Sequence, residues 1–274
     1  MRNFLFTVGP KRLTRGRMTR RHLASDVVVR EIEITTPTWP AGLDGLRIGH
    51  VSDFHVGELM PVERAVDIVA QLAEQEPDLV ACTGDVVDLH HDETAPVLDA
   101  LAEVDAPLGS MLVLGNHDEL HCGHTFAEMA RKAGIVVLEN EAVQIAWGGE
   151  ALIVGGVGWA KSAPGCKNLV DRTCSEEVHV LLSHNPKSFD AASELGIPLT
   201  LSGHTHGGQI AVKNKPTKNL ASRSPYSSGL YEKGASRLYV TVGVGAWFPL
   251  RINCPPEIVM ITMRSGAGGA DDTP

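Results

Sequence analysis

Five short apolar segments of the chain each end in an aspartate, asparagine or histidine. The stretch LSGHTHGGQI at 201–210 is one of them, with two histidines at i and i+2 directly after an apolar run. Ligands bind at the carboxyl ends of the strands of an α/β sheet, so the five ends are predicted to converge on one site. The five ends are Asp53-Phe-His55, Gly84-Asp85, Gly115-Asn-His-Asp118, Ser183-His184 and Gly203-His-Thr-His206.

Strand-like and helical periodicities alternate along the chain. Strands are predicted at 27–35, 46–52, 78–83, 110–114, from 136 onward, and at 151–157, 178–182, 198–201, 238–242 and 257–263. Helices are predicted at 61–73, 93–104, 125–133 and 188–195. The polar stretch 213–237 is expected to be a surface loop. More strands than helices favours an α/β fold of two packed sheets with helices outside.

One large domain, residues 27–264, is predicted between a flexible basic arm at 1–26 and a disordered Gly-rich tail at 265–274. Seven of the 24 basic residues precede the first acid, Asp26, so the remainder holds 17 basic and 33 acidic residues. This acidic balance argues against nucleic acid as a partner.

The basic arm has two interpretations. It could attract anionic lipid, with Phe4, Leu5 and Phe6 as a small apolar anchor, or it could be a solvated tail. Its segment Thr19-Arg-Arg-His-Leu23 resembles part of a twin-arginine export signal, but charged residues follow instead of an uncharged apolar stretch. The five cysteines contain no CxxC pair, which favours a reducing compartment. We therefore expect a cytoplasmic protein, with peripheral contact at the inner face of the membrane as an option.

The residue types at the strand ends suit divalent metal ions. Oxygen and imidazole donors without a thiolate fit two borderline ions such as Mn²⁺, Fe²⁺ or Zn²⁺. Seven ligands supply two sites only if one bridges, and the central carboxylate of Asp85 is the natural bridge. Two ions roughly 3.5–4 Å apart can hold a hydroxide that attacks phosphorus in line. The candidate ligands are Asp53, His55, Asp85, Asn116, His184, His204 and His206.

Two further residues are candidates for catalysis. His117, next to the candidate ligand Asn116, is predicted to protonate the leaving oxygen, with Asp118 holding or tuning its imidazole. Arg251 could contact a substrate phosphate or form a structural ion pair. Taken singly, each strand end could be a cap or a turn, but their joint occurrence at strand ends favours a functional site.

In order and type, the five motifs resemble those of the calcineurin-like metallophosphoesterases, over about residues 46–258. The resemblance implies a four-layer α/β/β/α sandwich with a dinuclear site. It assigns one metal to Asp53, His55 and His206. It assigns the other to Asn116, His184 and His204, with Asp85 shared by both.

Longer matches at 183–186, 201–209 and 255–258 resemble the bacterial YaeI/YkuE-type phosphodiesterases, a branch whose relatives include UDP-2,3-diacylglucosamine hydrolases. The expected function is hydrolysis of a phosphodiester or pyrophosphate by a metal-bound hydroxide. The substrate is a small molecule or a lipid, such as UDP-2,3-diacylglucosamine. The alternatives are a phosphomonoesterase, protein phosphatases included, and a non-catalytic scaffold that binds a partner. No arginine falls within the motifs, which disfavours the first, and the complete ligand set disfavours the second.

Overall fold

Strands and helices alternate through most of the chain. The computed structural model describes residues 8–175, 177–213, 215–219 and 224–266. In this part the strands are β1 (Val28–Thr36), β2 (Arg47–Val51), β3 (Leu79–Cys82), β4 (Ser110–Leu112), β5 (Val136–Val137), β6 (Glu141–Trp147), β7 (Glu150–Val157), β8 (Val180–Ser183), β9 (Leu199–Ser202), β10 (Ala211–Val212), β11 (Lys215–Asn219), β12 (Gly229–Lys233), β13 (Ser236–Val240) and β14 (Glu257–Ser265). The α-helices are α1 (Gly9–Leu13), α2 (Arg17–Leu23), α3 (Val62–Ala73), α4 (Ala95–Ala102), α5 (Glu119–Ala133), α6 (Ala163–Thr173) and α7 (Phe189–Glu194).

The strands of the described chain form two six-stranded sheets and a small ribbon of β10 and β11. The first sheet has the order β1-β14-β2-β3-β4-β5, in which β2 to β5 are parallel. The second has the order β12-β13-β9-β8-β7-β6, in which β7, β8, β9 and β13 are parallel and the edges are antiparallel. Each sheet therefore directs a block of adjacent strand ends toward one edge.

Alternation along the strands explains the layering. Leu79 of β3 and Val180 of β8 lie in one buried cluster between the sheets, whereas the next residue along each strand points outward. Val80 packs outward under α3, α4 and α5, and Leu181 packs under α6 and α7. The predicted α/β/β/α order of four layers is confirmed, and each fully buried leucine of this kind stabilises the fold by about 1.5–3 kcal/mol.

Two regions within the predicted domain differ from the sequence-based predictions. Helix α6 was not predicted, because only Cys166 and Val170 of its residues are buried and its apolar stripe is weak. Its start is nevertheless fixed by the Ser162 side chain, which accepts from the backbone N–H of Gly165. The expected loop at 213–237 contains β11 and β12, while residues 214 and 220–223 of that stretch lie outside the described residues.

The basic arm contains two short helices, which the sequence analysis did not predict. His22 of α2 contacts the carbonyl oxygen of Leu59 at 3.2 Å, and Arg64 of α3 donates to the carbonyl oxygens of Leu23 and Ser25. Helix α2 therefore lies against the segment that follows β2. Residues 1–7 and 267–274 lie outside the described residues, so the domain boundaries, the flexible arm and the disordered tail stay predictions. Among the described helices, none has the length and apolar character needed to cross a membrane.

Candidate metal centre

The carboxyl ends of five strands meet at one edge of the two sheets. β2, β3 and β4 are neighbours in the first sheet, and β8 and β9 are neighbours in the second. Two contacts join the edges: His184 donates from Nδ1 to the carbonyl oxygen of Thr83 at 2.6 Å, and the backbone N–H of His204 donates to Asp53 Oδ2 at 3.0 Å. The structure thus brings together the side chains that the sequence placed at separate strand ends.

One cluster consists of Asp53, His55 and His206, all buried. The Nε2 atom of His206 lies 3.1 Å from Asp53 Oδ1 and 3.1 Å from the Nε2 atom of His55. Two facing imidazole nitrogens can share only one proton, and a neutral ring has one lone pair to offer. A cation near both nitrogens and the carboxylate would use all three lone pairs.

A second cluster consists of Asp85, His184 and His204. The hydrogen bond to Thr83 commits His184 Nδ1 as a donor, so Nε2 faces Asp85 Oδ2 at 3.2 Å with its lone pair available in the neutral ring. Asp85 Oδ2 also lies 3.6 Å from the Nε2 atom of His55. Asp85 therefore lies between the two clusters, where the sequence analysis placed a bridging carboxylate.

Asn116, the remaining predicted ligand, follows β4. Its Oδ1 atom is buried and has no hydrogen-bond partner among the described residues. A buried amide oxygen without a partner costs about 1–3 kcal/mol of stability. A metal ion is a partner that would remove this cost.

The backbone at these residues is unusual. Five of the seven predicted ligands have positive φ angles between 51° and 69°, and these are Asp53, His55, Asp85, His204 and His206. Residues other than glycine rarely adopt this conformation, which costs on the order of 1–3 kcal/mol each and is concentrated at functional sites. The strand ends are thus held in conformations that aim their side chains at a common centre.

Glycines beside the ligands act in two ways. Gly84 has a φ of +91° and supplies a sharp turn after β3. Gly115 and Gly203 do not have a positive φ. They are needed for space, because a Cβ at Gly115 would lie 2.1 Å from Asp85 Oδ1 and one at Gly203 would lie 2.3 Å from Asp53 Oδ2.

The electrostatics of the site favour ionised carboxylates. Burial opposes ionisation of Asp53, but His206 and then His184 and His55 hold its pKa well below the usual value. Burial likewise opposes ionisation of Asp85, and His184 and His55 outweigh it, so its pKa is also lowered. The centre therefore holds two negative charges that attract a cation.

Three histidines of the site have shifted pKa values, two lowered and one raised. Burial and the neighbouring His117 lower the pKa of His55 well below its usual value, and burial and His184 lower the pKa of His204 to about 4. Burial also acts to lower the pKa of His184, but the Asp85 carboxylate outweighs it and raises the value to about 9. A divalent ion bound to His184 would take the place of such a proton, because a ligating imidazole must be neutral.

His117 lies beside the first cluster, with its ring centroid 4.4 Å from that of His55. Its Nδ1 donates to the carbonyl oxygen of Asp88 at 2.6 Å, and the Asp88 carboxylate lies 3.7 Å from the same nitrogen. Asp88 was missed by the sequence analysis, although an acid three residues after Asp85 was visible. The backbone of Asp88, rather than the predicted side chain of Asp118, therefore accepts this hydrogen bond.

Asp118 holds the loops in place. Its Oδ2 accepts from the backbone N–H groups of Asp85 at 2.7 Å and Gly115 at 2.8 Å, and its Oδ1 accepts from Val87 at 2.9 Å. Burial and the nearby Asp85 carboxylate raise the pKa of Asp118 to about 7, while the amide hydrogen bonds oppose this rise. Both oxygens accept from the loop after β3, so Asp118 has a structural role, and its predicted effect on the His117 imidazole stays a prediction.

Arg251 and Trp159 complete the surroundings. Arg251 donates to the carbonyl oxygens of Val242, Gly243 and Gly245, so its guanidinium supports the loop beneath Asp53. Arg251 therefore has a structural role. Its partners are carbonyl oxygens and not the carboxylate of the ion pair that the sequence analysis offered as an alternative. The ring centroid of Trp159 lies 4.6 Å from that of His204. The sequence analysis missed Trp159 because only the folded chain brings the two rings together.

The donor set fits divalent ions. It offers carboxylate, amide and imidazole atoms, and within each of the two clusters the ligand atoms lie within 4.8 Å of one another. Asn116 Oδ1, which has no hydrogen-bond partner among the described residues, and His184 Nε2, which faces the Asp85 carboxylate, belong to residues predicted to bind the same ion. This arrangement supports a metal centre at the shared sheet edge.

Comparison with known proteins agrees with the site. The family model for calcineurin-like phosphoesterases matches residues 46–208. The uncharacterized metallophosphoesterase YkuE of Bacillus subtilis (strain 168) is 30% identical over 238 residues, which cover 82% of each chain. Phosphodiesterase YaeI of Escherichia coli (strain K12) is 33% identical over 231 residues, which cover 79% of this chain and 82% of that protein.

The chain therefore belongs to the calcineurin-like phosphoesterase family, as the five motifs predicted. An uncharacterized metallophosphoesterase of Aquifex aeolicus (strain VF5) is also similar, with 32% identity over 250 residues that cover 86% of this chain and 91% of that one. Membership, together with the histidine and aspartate clusters, makes the chain a metal-dependent hydrolase of phosphoesters.

Proposed function

We propose that the chain hydrolyses a phosphodiester or pyrophosphate bond with two divalent ions. One ion is assigned to Asp53, His55 and His206, and the other to Asn116, His184 and His204, with Asp85 shared. The observation that supports this most directly is the position of Asp85 Oδ2, 3.2 Å from His184 Nε2 and 3.6 Å from His55 Nε2. A carboxylate at this position can serve both clusters.

The protein residues have separate tasks in this proposal. Two such ions, when bound, activate water and stabilise the negative charge that develops on phosphoryl oxygens. The carbonyl oxygen of Asp88 fixes Nδ1 of His117 as a donor, so Nε2 is the nitrogen left to face the leaving oxygen. In the protonated ring Nε2 would give its proton to that oxygen and leave the neutral Nδ1–H tautomer, which the Asp88 carbonyl still holds. Asp118 orders the loops after β3 and β4 that carry Asp85 and His117.

A diester is favoured over a monoester by the position of Arg251. A phosphomonoester dianion is commonly bound by arginine, whose guanidinium matches its oxygens. Arg251 instead donates to carbonyl oxygens of the loop at 242–245. Its guanidinium is therefore committed to the fold.

Within this class, the proposed substrate is a lipid-linked diphosphate such as UDP-2,3-diacylglucosamine, approached at the inner face of a membrane. Leu13 is 87% exposed on a hairpin of α1 and α2 whose exposed side chains include Lys11, Arg12 and Arg17. The hairpin contacts Glu58 and Leu59, shortly after His55. A basic surface with an exposed apolar side chain beside the site suits a substrate in an anionic membrane.

Hydrolysis of bis-p-nitrophenyl phosphate and p-nitrophenyl phosphate tests the reaction class. The protein is stripped of metal and then given Mn²⁺, Fe²⁺ or Zn²⁺, and the metal ligand variant Asp85→Asn is compared with Asp99→Asn, an exposed aspartate of α4. We expect metal-dependent cleavage of the diester that is lost in Asp85→Asn and kept in Asp99→Asn. Unchanged activity in Asp85→Asn would refute the assignment, and no activity with any metal would favour a binding scaffold.

A second assay tests the substrate. The metal-loaded protein is given UDP-2,3-diacylglucosamine in mixed micelles and, separately, a cyclic nucleotide. Efficient cleavage of the cyclic nucleotide with none of the sugar-lipid diphosphate would contradict the lipid-linked proposal while leaving the diesterase assignment intact.

A further inference from the structure

A cavity of about 250 Å³ lies between α2 and the loop at 249–256. Arg21 and His22 of α2 line one side, and Arg251 and Leu250 line the other. None of the seven candidate metal ligands lines it. The cavity is therefore separate from the metal centre and has no part in the proposed function.

The charged side chains that line this cavity are all basic. Among the described residues no aspartate or glutamate lines it, and no ion pair involves Arg21, His22 or Arg251. This is notable because the chain carries a formal net charge of −9. Two arginines that face one cavity without a carboxylate leave a positive potential that an anion would neutralise.

His22 responds to this potential. Burial, followed by the charges of Arg251 and Arg64, lowers its pKa to about 4. The buried Nε atom of Arg251 also lacks a hydrogen-bond partner among the described residues. The acids that act on Arg64 are Asp26 and Asp67, and those that act on Arg251 are Asp53 and Glu257; none of the four lines the cavity. The lining itself therefore has no described carboxylate to balance its arginines.

We propose that this cavity binds a phosphate group, either as a free anion or as the head group of a lipid. Arg21, which is exposed, donates to the phosphate oxygens. Arg251 contributes its charge from the buried side, and Leu250 with the neighbouring prolines contacts the less polar part of the ligand. The site would link the basic hairpin to the loop that Arg251 supports beneath Asp53.

Titration with inorganic phosphate tests the site. Because the metal centre also attracts phosphate, the titration is made in the Asp85→Asn background at constant ionic strength, with the unfolding temperature and calorimetric heat as readouts. Arg21→Gln is compared with Arg17→Gln, which removes an equal charge from the same helix outside the cavity. Loss of one charge-assisted hydrogen bond predicts about a tenfold or larger fall in phosphate affinity for Arg21→Gln.

Equal affinities in Arg21→Gln and Arg17→Gln would overturn the proposal, as would the absence of phosphate binding in the Asp85→Asn background. The same two substitutions in the otherwise unchanged, metal-loaded protein control for any loss of fold caused by Asp85→Asn. There, Arg21→Gln should remove phosphate binding at the cavity and leave inhibition of hydrolysis by phosphate unchanged, because that inhibition arises at the metal centre. Loss of inhibition in Arg21→Gln would show that Arg21 helps to bind the inhibitory phosphate, and would overturn a separate site.

Vesicles distinguish the two sources of phosphate. Sedimentation with phosphatidylcholine vesicles that contain phosphatidic acid is measured for the wild-type protein, Arg21→Gln and Arg17→Gln. A larger loss of binding for Arg21→Gln than for Arg17→Gln assigns the site to a lipid head group. Phosphate binding that depends on Arg21, with no difference between the variants on vesicles, assigns it to a free anion.

Discussion

His117 and Asp118 are adjacent in sequence, yet their hydrogen bonds give them different tasks. His117 places its ring against His55 and donates to the carbonyl oxygen of Asp88. Asp118 accepts from three backbone amides in the loops that carry Asp85 and Gly115. In the proposed mechanism His117 therefore moves a proton, and Asp118 holds the loops in position.

This division predicts different kinetic defects. His117→Gln removes the acid and should lower kcat by roughly 10²–10⁴-fold, with the larger effect on poor leaving groups. Asp118→Asn should lower metal affinity by roughly 10–100-fold, because one amide would face an NH₂ group and the loop of Asp85 would shift. Metal titration of activity separates the two. A variant at Asp118 with normal metal affinity and only a reduced kcat would contradict this account.

The space beside Asp85 supplies another prediction. Gly115→Ala would place a methyl group 2.1 Å from Asp85 Oδ1, and overpacking of this kind costs about 1–3 kcal/mol. We expect lower stability and weaker metal binding, measured by urea unfolding and by metal titration. Gly158→Ala is the matched control, since its new methyl group would meet only ordinary contacts at 3.5 Å. Equal behaviour of the two variants would show that Asp85 tolerates displacement.

At the scale of elements, the docking of α2 depends on a buried histidine. His22 contacts the carbonyl oxygen of Leu59, and Arg64 of α3 donates to the end of the same helix. The pKa of His22 is lowered to about 4 in the folded state, below its ordinary value of 6.5. The docked helix therefore requires a neutral imidazole.

The docked helix is expected to lose stability in acid. As pH falls through 6.5 the undocked form takes up a proton first, so docking weakens down to pH about 4, where the loss reaches about 3 kcal/mol. Hydrogen exchange of the α2 amides between pH 7 and pH 4 measures this. His22→Gln removes the titration, so its α2 protection should vary less with pH. Identical pH dependence in both proteins would contradict the role of His22.

Elements also show where sequence reasoning succeeds and fails. The strands before Asp53, Asp85 and His184 could be predicted because short apolar runs and turns are local features. Helix α6 could not, because only Cys166 and Val170 of its residues are buried. The hairpin of α1 and α2 could not, because its docking depends on contacts with the distant residues Leu59 and Arg64. The same limit explains why Asp88 and Trp159 were missed, as their neighbours at the site become visible only after folding.

At the scale of the whole molecule, the site exists because two sheets share one edge. The first sheet supplies Asp53, His55, Asp85 and Asn116, and the second supplies His184, with His204 and His206 after β9. A metal held by ligands from both sheets binds the folded chain and not the unfolded one. Its binding energy therefore adds to the stability of the fold.

Metal removal should therefore lower the unfolding temperature. At a metal concentration about 1,000 times Kd the stabilisation is about 4 kcal/mol, which corresponds to roughly 10 °C for a domain of this size. Scanning calorimetry with and without a chelator measures the shift. Asp85→Asn should show a smaller shift than the wild-type protein and Asp99→Asn an equal one. If the chelator lowers the unfolding temperature of Asp85→Asn as much as that of the wild-type protein, the stabilising metal lies elsewhere.

The central claim is that two ions share Asp85 at the joint edge of the sheets. Anomalous diffraction from crystals of the Mn²⁺-loaded protein tests it most directly. The account predicts two peaks about 3.5–4 Å apart, one beside Asp53, His55 and His206 and the other beside Asn116, His184 and His204, with Asp85 between them. A single peak, or two peaks of which only one contacts Asp85, would contradict it.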